Sequence, residues 1–585
     1  MKPIPFQYVE IDSDFWLPRI NQVRAVTVPA CLDQCEKSGR LDNFRKAAGR
    51  KEGDFKGIFF DDSDVYKVLE GAAYCLQDHA DPELENRVDG IIDDICAAQQ
   101  ETGYIDTYFI LADPDRKWTD MDMHEAYCLG HMTEAGIAYA QATGKTALLN
   151  CAIRGLAYMM SLIGPGKRHW VTGHQELELA LVRLYRYTGE TRYLDFARWL
   201  VGERGNDHFD SDRQRYYHTP TEYYQDDKPI EQLERVTGHA VRAMYYYTGV
   251  ADLVAVEDNA AWREALNRIW HNVVPANLYI TGGIGQCSSN EGFTENYHKP
   301  CLTAYCETCA AIGMALWNHR MNLLSGERRF ADLVETEMYN GILSGISLSG
   351  DKFFYDNPLA SIGQKCRVRW FDCSCCPTNL CRFIPSVGGY AYSIDDNAVW
   401  LNQFIGGNLH YQDGEQQISL RVETDYPKTG RVKITVLSCS GIGKLRIRVP
   451  AWCTDWKISD PSAVESDGYI QADIAPGMEI RYDMEMPVRR VYEDPRVRET
   501  AGRVCFCRGP VVYCAEEVDN KGVVPSEYFH SDLTVSRTDR PEVSGQMDSL
   551  EGAIAIRVGE LTLIPYALWD NRERSAMTVW IREKD

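Results

Sequence analysis

Hydrophobic positions along this chain follow two periods, and the change falls near Tyr390. From Asp62 to about Arg382, apolar residues recur at three- and four-residue intervals, the pattern of helix after helix. Ser63-Asp64-Val65-Tyr66-Lys67-Val68-Leu69-Glu70 supplies a cap followed by such a run. Three segments then repeat a theme. Gly130-His131, Gly173-His174 and Gly238-His239 each open a helical stretch, and the stretches close at Thr143-Gly144, Thr188-Gly189 and Thr248-Gly249. Each closing glycine suits a left-handed C-cap. Helical hairpins recurring at intervals of roughly 40 to 65 residues predict a closed toroid of paired helices, with equivalent helix ends gathered at one mouth. One histidine at a helix start is most often a cap or a core residue. Three at matched positions place His131, His174 and His239 around a common pocket.

Beyond Tyr390 the period shortens to two. Ile418 to Thr424, Val432 to Val436 and Leu445 to Val449 alternate apolar and polar residues as half-buried strands do, with Pro and Gly turns between them. Val504-Cys-Phe-Cys507, Pro510-Val-Val-Tyr513 and Met577-Thr-Val-Trp-Ile581 continue the pattern. This part predicts one or two β-sandwiches. Residues Tyr8 to Trp16 read as a short isolated strand.

With 585 residues the chain is long enough for several domains, each with its own core. A net charge of −23 excludes a phosphate-binding surface and so a nucleic-acid partner. No run approaches the length of a membrane span. Met1-Lys2-Pro3-Ile4-Pro5-Phe6 lacks the apolar stretch of a secretory leader. The expectation is a cytoplasmic protein, able to pair as a homo-dimer, whose substrate is a small imported oligosaccharide or glycoside.

Cysteine changes the picture most. Nine of the 20 lie between Cys287 and Cys381, with Glu291 and Glu335 interleaved. Without an export signal they read as reduced thiols, and most, such as Cys505 and Cys514, as small buried apolar residues. Two metal spheres fit the dense clusters. Cys306, Cys309, Cys373 and Cys376 have the paired spacing of a structural four-cysteine zinc, while Glu307, Cys309, Cys375 and Cys376 also complete a tetrahedron. Glu291, in the loop-like Ser289-Asn290-Glu291-Gly292-Phe293, suits a general acid at the mouth of a toroid. One carboxylate among 85 acidic residues is ordinarily a solvated surface group. A thiolate opposite it would match the acid-plus-nucleophile pairing of a retaining glycosidase, with sulfur in place of the usual carboxylate.

These motifs resemble glycoside hydrolase family 127, the zinc-dependent β-L-arabinofuranosidases. The likeness runs through Asp62-Ser-Asp-Val-Tyr-Lys67, His124-Glu-Ala-Tyr127, Gly173-His-Gln-Glu-Leu-Glu178 and Thr303-Ala-Tyr-Cys-Glu-Thr-Cys309. It continues in Tyr339-Asn-Gly341, Cys375-Cys-Pro-Thr-Asn379 and Arg508-Gly-Pro-Val-Val-Tyr513. The resemblance implies an (α/α)6 barrel followed by β-sandwich domains. It divides the chain into an N-terminal strand (1–18) joining a β-sandwich, the barrel (19–390) and two sandwiches (391–495 and 496–585). It implies zinc held by Glu307, Cys309, Cys375 and Cys376, Cys375 as nucleophile and Glu291 as acid/base. His131, His174, His239, Glu335 and Tyr355 then contact the sugar. Cys31 stands where many relatives carry glutamine, so specificity toward another pentofuranose or a branched deoxysugar is an alternative. A non-catalytic sugar-binding protein with structural zinc is a second.

Overall fold

The computed structural model describes residues 1–206, 208–209 and 220–585. Six inner helices form a ring: α1 (Asp62–Asp78), α2 (Glu125–Thr143), α3 (Leu177–Thr188), α4 (Ala240–Glu257), α5 (Thr308–Ser325) and α6 (Cys375–Phe383). Each packs on the next, and α6 returns to α1, which closes the toroid. Outside them run Pro82–Ala98, Ala147–Leu162, Thr191–Glu203, Ala260–Asn277, Arg328–Thr336 and Val28–Ser38. The expected (α/α)6 barrel is therefore present. An inner helix has neighbours on all sides, so every residue of α2 from Glu125 to Ala140 is buried.

Two helix boundaries differ from the sequence expectation. The second inner helix begins at Glu125, behind His124 in a left-handed conformation, so His131 lies nearly two turns inside it and opens nothing. Gly144 and Gly189 do cap their helices, but α4 runs through Gly249 to Glu257. Gly249 serves close packing instead: a Cβ there would lie 3.0 Å from the Cβ of Glu178 in the first turn of α3.

The strands form two units. In the first, two six-stranded sheets face one another over a shared apolar core, and the N-terminal segment contributes to both. Lys2–Pro3 pairs with Tyr392–Ile394, and Val9–Ile11 pairs with Gly407–Asp413. The last unit is a branched network of ten strands. It starts at Val488 and recruits Ala360–Ile362 from the connection between α5 and α6. Alternation along Arg503–Arg508 sends Val504 and Phe506 into its own core, while Cys505 and Cys507 face Tyr279, Cys306 and Phe354 of the barrel. Cys514 joins that second face, so these cysteines act as small apolar residues as expected. Among the described residues, no helix is long and apolar enough to cross a membrane.

The short α6 is seated by close backbone contact with α1. A Cβ at Gly71 would stand 2.4 Å from the carbonyl oxygen of Cys381 and 3.0 Å from its Cβ. Gly71→Ala should therefore push α6 outward and cost about 1–3 kcal/mol, seen as a lowered melting temperature. An unchanged melting temperature would show that this contact does not seat the helix.

Candidate active site

The N-termini of α5 and α6 converge. Glu307 is the N-cap of α5 and Cys309 lies in its first turn, while Cys375 and Cys376 are the first two residues of α6. Helix N-termini favour negative charge, and thiolates most of all benefit when two such ends point at one place. Cys309 Sγ is 3.5 Å from Cys376 Sγ, and Cys375 Sγ is 3.9 Å from Cys376 Sγ. Glu307 Oε1 is 3.5 Å from both Cys375 Sγ and Cys376 Sγ. A tetrahedron with metal–sulfur bonds of about 2.3 Å and metal–oxygen bonds of about 2.0 Å has sulfur–sulfur edges of about 3.8 Å and sulfur–oxygen edges of about 3.5 Å. The quartet has these dimensions, and the second carboxylate oxygen of Glu307 is buried with no hydrogen-bond partner among the described residues. These residues fit a metal ion.

The protonation pattern agrees. Burial, then the neighbouring sulfurs and Glu291, push the Glu307 carboxyl well above its usual range. Burial and the adjacent thiols likewise raise Cys376. Burial also opposes ionisation of Cys309, but the Cys375 and Cys376 thiols outweigh it and bring Cys309 to about 6. Such a cluster ionises together only around a cation.

The four-cysteine sphere is not formed. Cys306 has a left-handed backbone (φ 41°) that turns its side chain into the apolar layer with Tyr279, Phe354 and Trp569. Cys373 also lies outside the quartet; its sulfur is 3.6 Å from the hydroxyl of Tyr355. That hydroxyl is 3.1 Å from Cys375 Sγ, which places Tyr355 directly against the sulfur. Tyr355 is fixed there because its carbonyl accepts the backbone N–H of Thr308 on α5.

Glu291 reaches the same place from a loop. It adopts a left-handed φ of 46°, uncommon for a non-glycine residue. Backbone pairing of Cys287 and His239 with Gly292 holds it so, and Ala240 N–H donates to the Glu291 carbonyl. A Cβ on Gly292 would stand 1.9 Å from the carbonyl oxygen of Gly238, so only glycine fits there. The Tyr305 hydroxyl donates to Glu291 Oε1 at 2.7 Å, and His239 Nε2 lies 3.4 Å from Oε2. His239 Nδ1 accepts from Val241 N–H and Arg242 N–H as the cap of α4, which leaves Nε2 as the donor toward Glu291. Burial works to raise the Glu291 pKa; His239 and Tyr305 overcome it and hold the carboxyl at about 2. Donor atoms of His239, Glu291 and Glu307 all lie within 4.8 Å of one another, so Glu307 links the acid to the sulfur cluster.

The histidines divide. The rings of His124, His174 and His239 form a row with centroids 5.5 Å apart at each step. His124 and His174 are held well below the ordinary histidine range, chiefly by burial and then by Arg242, and so are neutral hydrogen-bonding groups. His131 is not in the row. It is fully buried in α2, with Nδ1 3.1 Å from Glu176 Oε1 and the Tyr127 ring between it and His174. The start of α2 at Glu125 identifies His124 as the member that belongs to the mouth.

Glu335 departs from its expected place. Glu335 lies at the junction with the first β unit, where its carboxylate accepts from Arg448, the Tyr426 hydroxyl and the Trp452 indole. None of these partners belongs to the site, and Glu335 is 1% exposed. Cys31 is buried beside the Cys381 thiol of α6. Tyr305 and His124 were missed; a tyrosine two residues before Glu307 and a histidine directly before a helix-opening glutamate are the signals that mark them.

A sulfur-rich quartet that fits a metal ion and a partly exposed carboxylate thus stand together within a closed α/α toroid. The GH127 β-L-arabinofuranosidase catalytic domain matches residues 8–389, and the family's middle and C-terminal domains match 398–485 and 488–582. The chain belongs to glycoside hydrolase family 127 and is a glycoside hydrolase with a carbohydrate substrate. It is 34% identical to a non-reducing end β-L-arabinofuranosidase of Bifidobacterium longum subsp. longum, over 98% of this chain and all of that one. It is similar to the crystal structure of a GH127 β-L-arabinofuranosidase from Geobacillus stearothermophilus T6, with a TM-score of 0.92 at 33% identity over 98% of this chain and 100% of the other. A second solved GH127 β-arabinofuranosidase gives 0.92 at 34% identity, covering 100% of this chain and 98% of that one.

The geometry separates the two metal spheres by experiment. Cys376→Ser should abolish stoichiometric metal in the purified protein by elemental analysis, whereas Cys306→Ser should leave it intact. Equal loss in both would restore the four-cysteine sphere.

Proposed function

We propose that this chain is a retaining exo-β-L-arabinofuranosidase that releases terminal β-L-arabinofuranosyl residues, with Cys375 as nucleophile and Glu291 as acid and base. The observation that carries it is the shared neighbourhood of a half-exposed sulfur and a carboxylate, with Glu307 in reach of both. Whole-length likeness to proteins described as β-L-arabinofuranosidases supports the choice of sugar.

In the first step the sulfur of Cys375 forms a bond to the anomeric carbon as the bond to the leaving oxygen breaks, and Glu291 gives that oxygen its proton. In the second, Glu291 takes a proton from water, the water oxygen bonds to the anomeric carbon, and the C–S electron pair returns to Cys375. A zinc ion held by Glu307, Cys309, Cys375 and Cys376 would supply the charge that keeps the thiol ionised near neutral pH. His124, His174 and His239, neutral and aligned, suit hydroxyl groups of the sugar, and Tyr355 orients the sulfur. Glu291 is ionised in the open site, where its side chain is 37% exposed. Substrate that covers this face removes water and favours the protonated acid.

Cys375→Ser and Glu291→Gln should each lower kcat/KM on an aryl β-L-arabinofuranoside by at least about 10³-fold with the fold intact by circular dichroism. Near-normal turnover in either would remove that residue from its role. A second test follows from the pairing at Glu291. Loss of the His239 donor raises the carboxyl, so the alkaline limb of the single-turnover glycosylation rate at saturating substrate, which reports the bound enzyme, should move to higher pH in His239→Ala. A limb that stays in place, or moves down, would show that Glu291 is not the group titrating.

A further inference from the structure

Lys67 is a buried cation that the reaction above does not use. It lies on α1, the helix against which α6 packs, and is 1% exposed. A buried ammonium is costly unless anions and hydrogen bonds compensate it. Its only hydrogen bond among the described residues is to the Tyr127 hydroxyl at 3.1 Å. Asp64 Oδ1 is 3.6 Å away, outside hydrogen-bond reach, and Asp64 is more closely engaged by Arg40 at 3.1 Å. Asp61, the other partner of Arg40, lies 2.9 Å from its guanidinium, so Arg40, Lys67, Asp61 and Asp64 form one buried array of charged groups.

Burial works to lower the Lys67 pKa; Asp64, then the Cys375 and Cys309 sulfurs, outweigh it and favour the ammonium. Asp64 also contacts the hydroxyl of Thr378, which in turn touches the carbonyl of Cys375, so the array is tied to the first turn of α6. Tyr127, the partner of Lys67, packs at a tilt against His174 in the row at the mouth. Three thiolates and a carboxylate around a divalent ion carry two net negative charges. One remains once Cys375 is bonded to a sugar.

We infer that Lys67 is an electrostatic positioning residue that favours return of the electron pair to Cys375, and so speeds release of the sugar from the enzyme. The inference rests on the proposed role of Cys375. A fixed positive charge beside the cluster stabilises the more negative state, which is the free thiolate and not the alkylated one. Lys67 therefore opposes formation of the C–S bond slightly and promotes its cleavage. The balance suits a sulfur that would otherwise be a good nucleophile and a reluctant leaving group.

The test is Lys67→Met, with Lys67→Gln as a neutral variant that can still bond Tyr127 and Lys67→Arg as a variant that keeps the charge. In the neutral variants kcat and KM should fall together, each by roughly tenfold, while kcat/KM holds or rises. Acid-quenched protein analysed by intact mass and peptide mapping should show a larger fraction of a pentosyl adduct on Cys375 than the parent. Lys67→Arg should behave as the parent. A fall in kcat with unchanged KM and no added adduct, or no change in either constant, would overturn the inference. Adduct on Cys375 in the parent, without accumulation in the neutral variants, defeats this inference alone. Full activity in Cys375→Ala defeats the reading it rests on.

Discussion

Everything at this site depends on bringing two helix N-termini together around buried negative charge. Glu307 and Cys309 start one inner helix, Cys375 and Cys376 start another, and the four donor atoms reach the edges of one tetrahedron. Four anionic ligands in a buried pocket repel one another strongly, so the arrangement is stable only with a cation at its centre or with protons on most of the sulfurs. The closed ring of six helices answers this constraint with rigidity. Since α6 is only nine residues long, its direction is set by its neighbours: the glycine contact at Gly71 and the Arg382 guanidinium, which engages Glu70, Glu134 and the Tyr245 hydroxyl.

Burial at the mouth also sorts the roles of its polar groups. Neutral histidines line one wall, where they can give or accept hydrogen bonds without competing for charge. The one carboxylate that stays partly exposed, Glu291, is held ionised by two donors, and its strained backbone is secured by the glycine beside it. Glu307, in contrast, lies fully inside, where burial and the sulfurs disfavour its charge and a carboxylate fits a metal ion. Position, and not residue type, assigns the two glutamates.

Much of this was legible in the sequence. The helical period and repeated helix ends implied the toroid, and the two dense cysteine clusters implied a thiolate site. Which thiols take part was not legible, because Cys306 and Cys309 have ligand spacing and only the left-handed turn at Cys306 directs it elsewhere. His124 and His131 are seven residues apart, so they occupy one face of the same helix at depths differing by about 10 Å, and periodicity alone does not choose between them. Glu335 resembles a pocket acid until its long-range partner Arg448, over a hundred residues later, is in place. The early run of strand at Val9–Ile11 likewise finds its partner only across the whole barrel.

The central claim is that a sulfur takes the sugar and then gives it up, so that two displacements occur at the anomeric carbon. Proton NMR of the first-formed sugar, taken before mutarotation, reads this directly. Release of the β anomer from a β-linked substrate is the predicted result; the α anomer would mean a single displacement by water and would contradict the account.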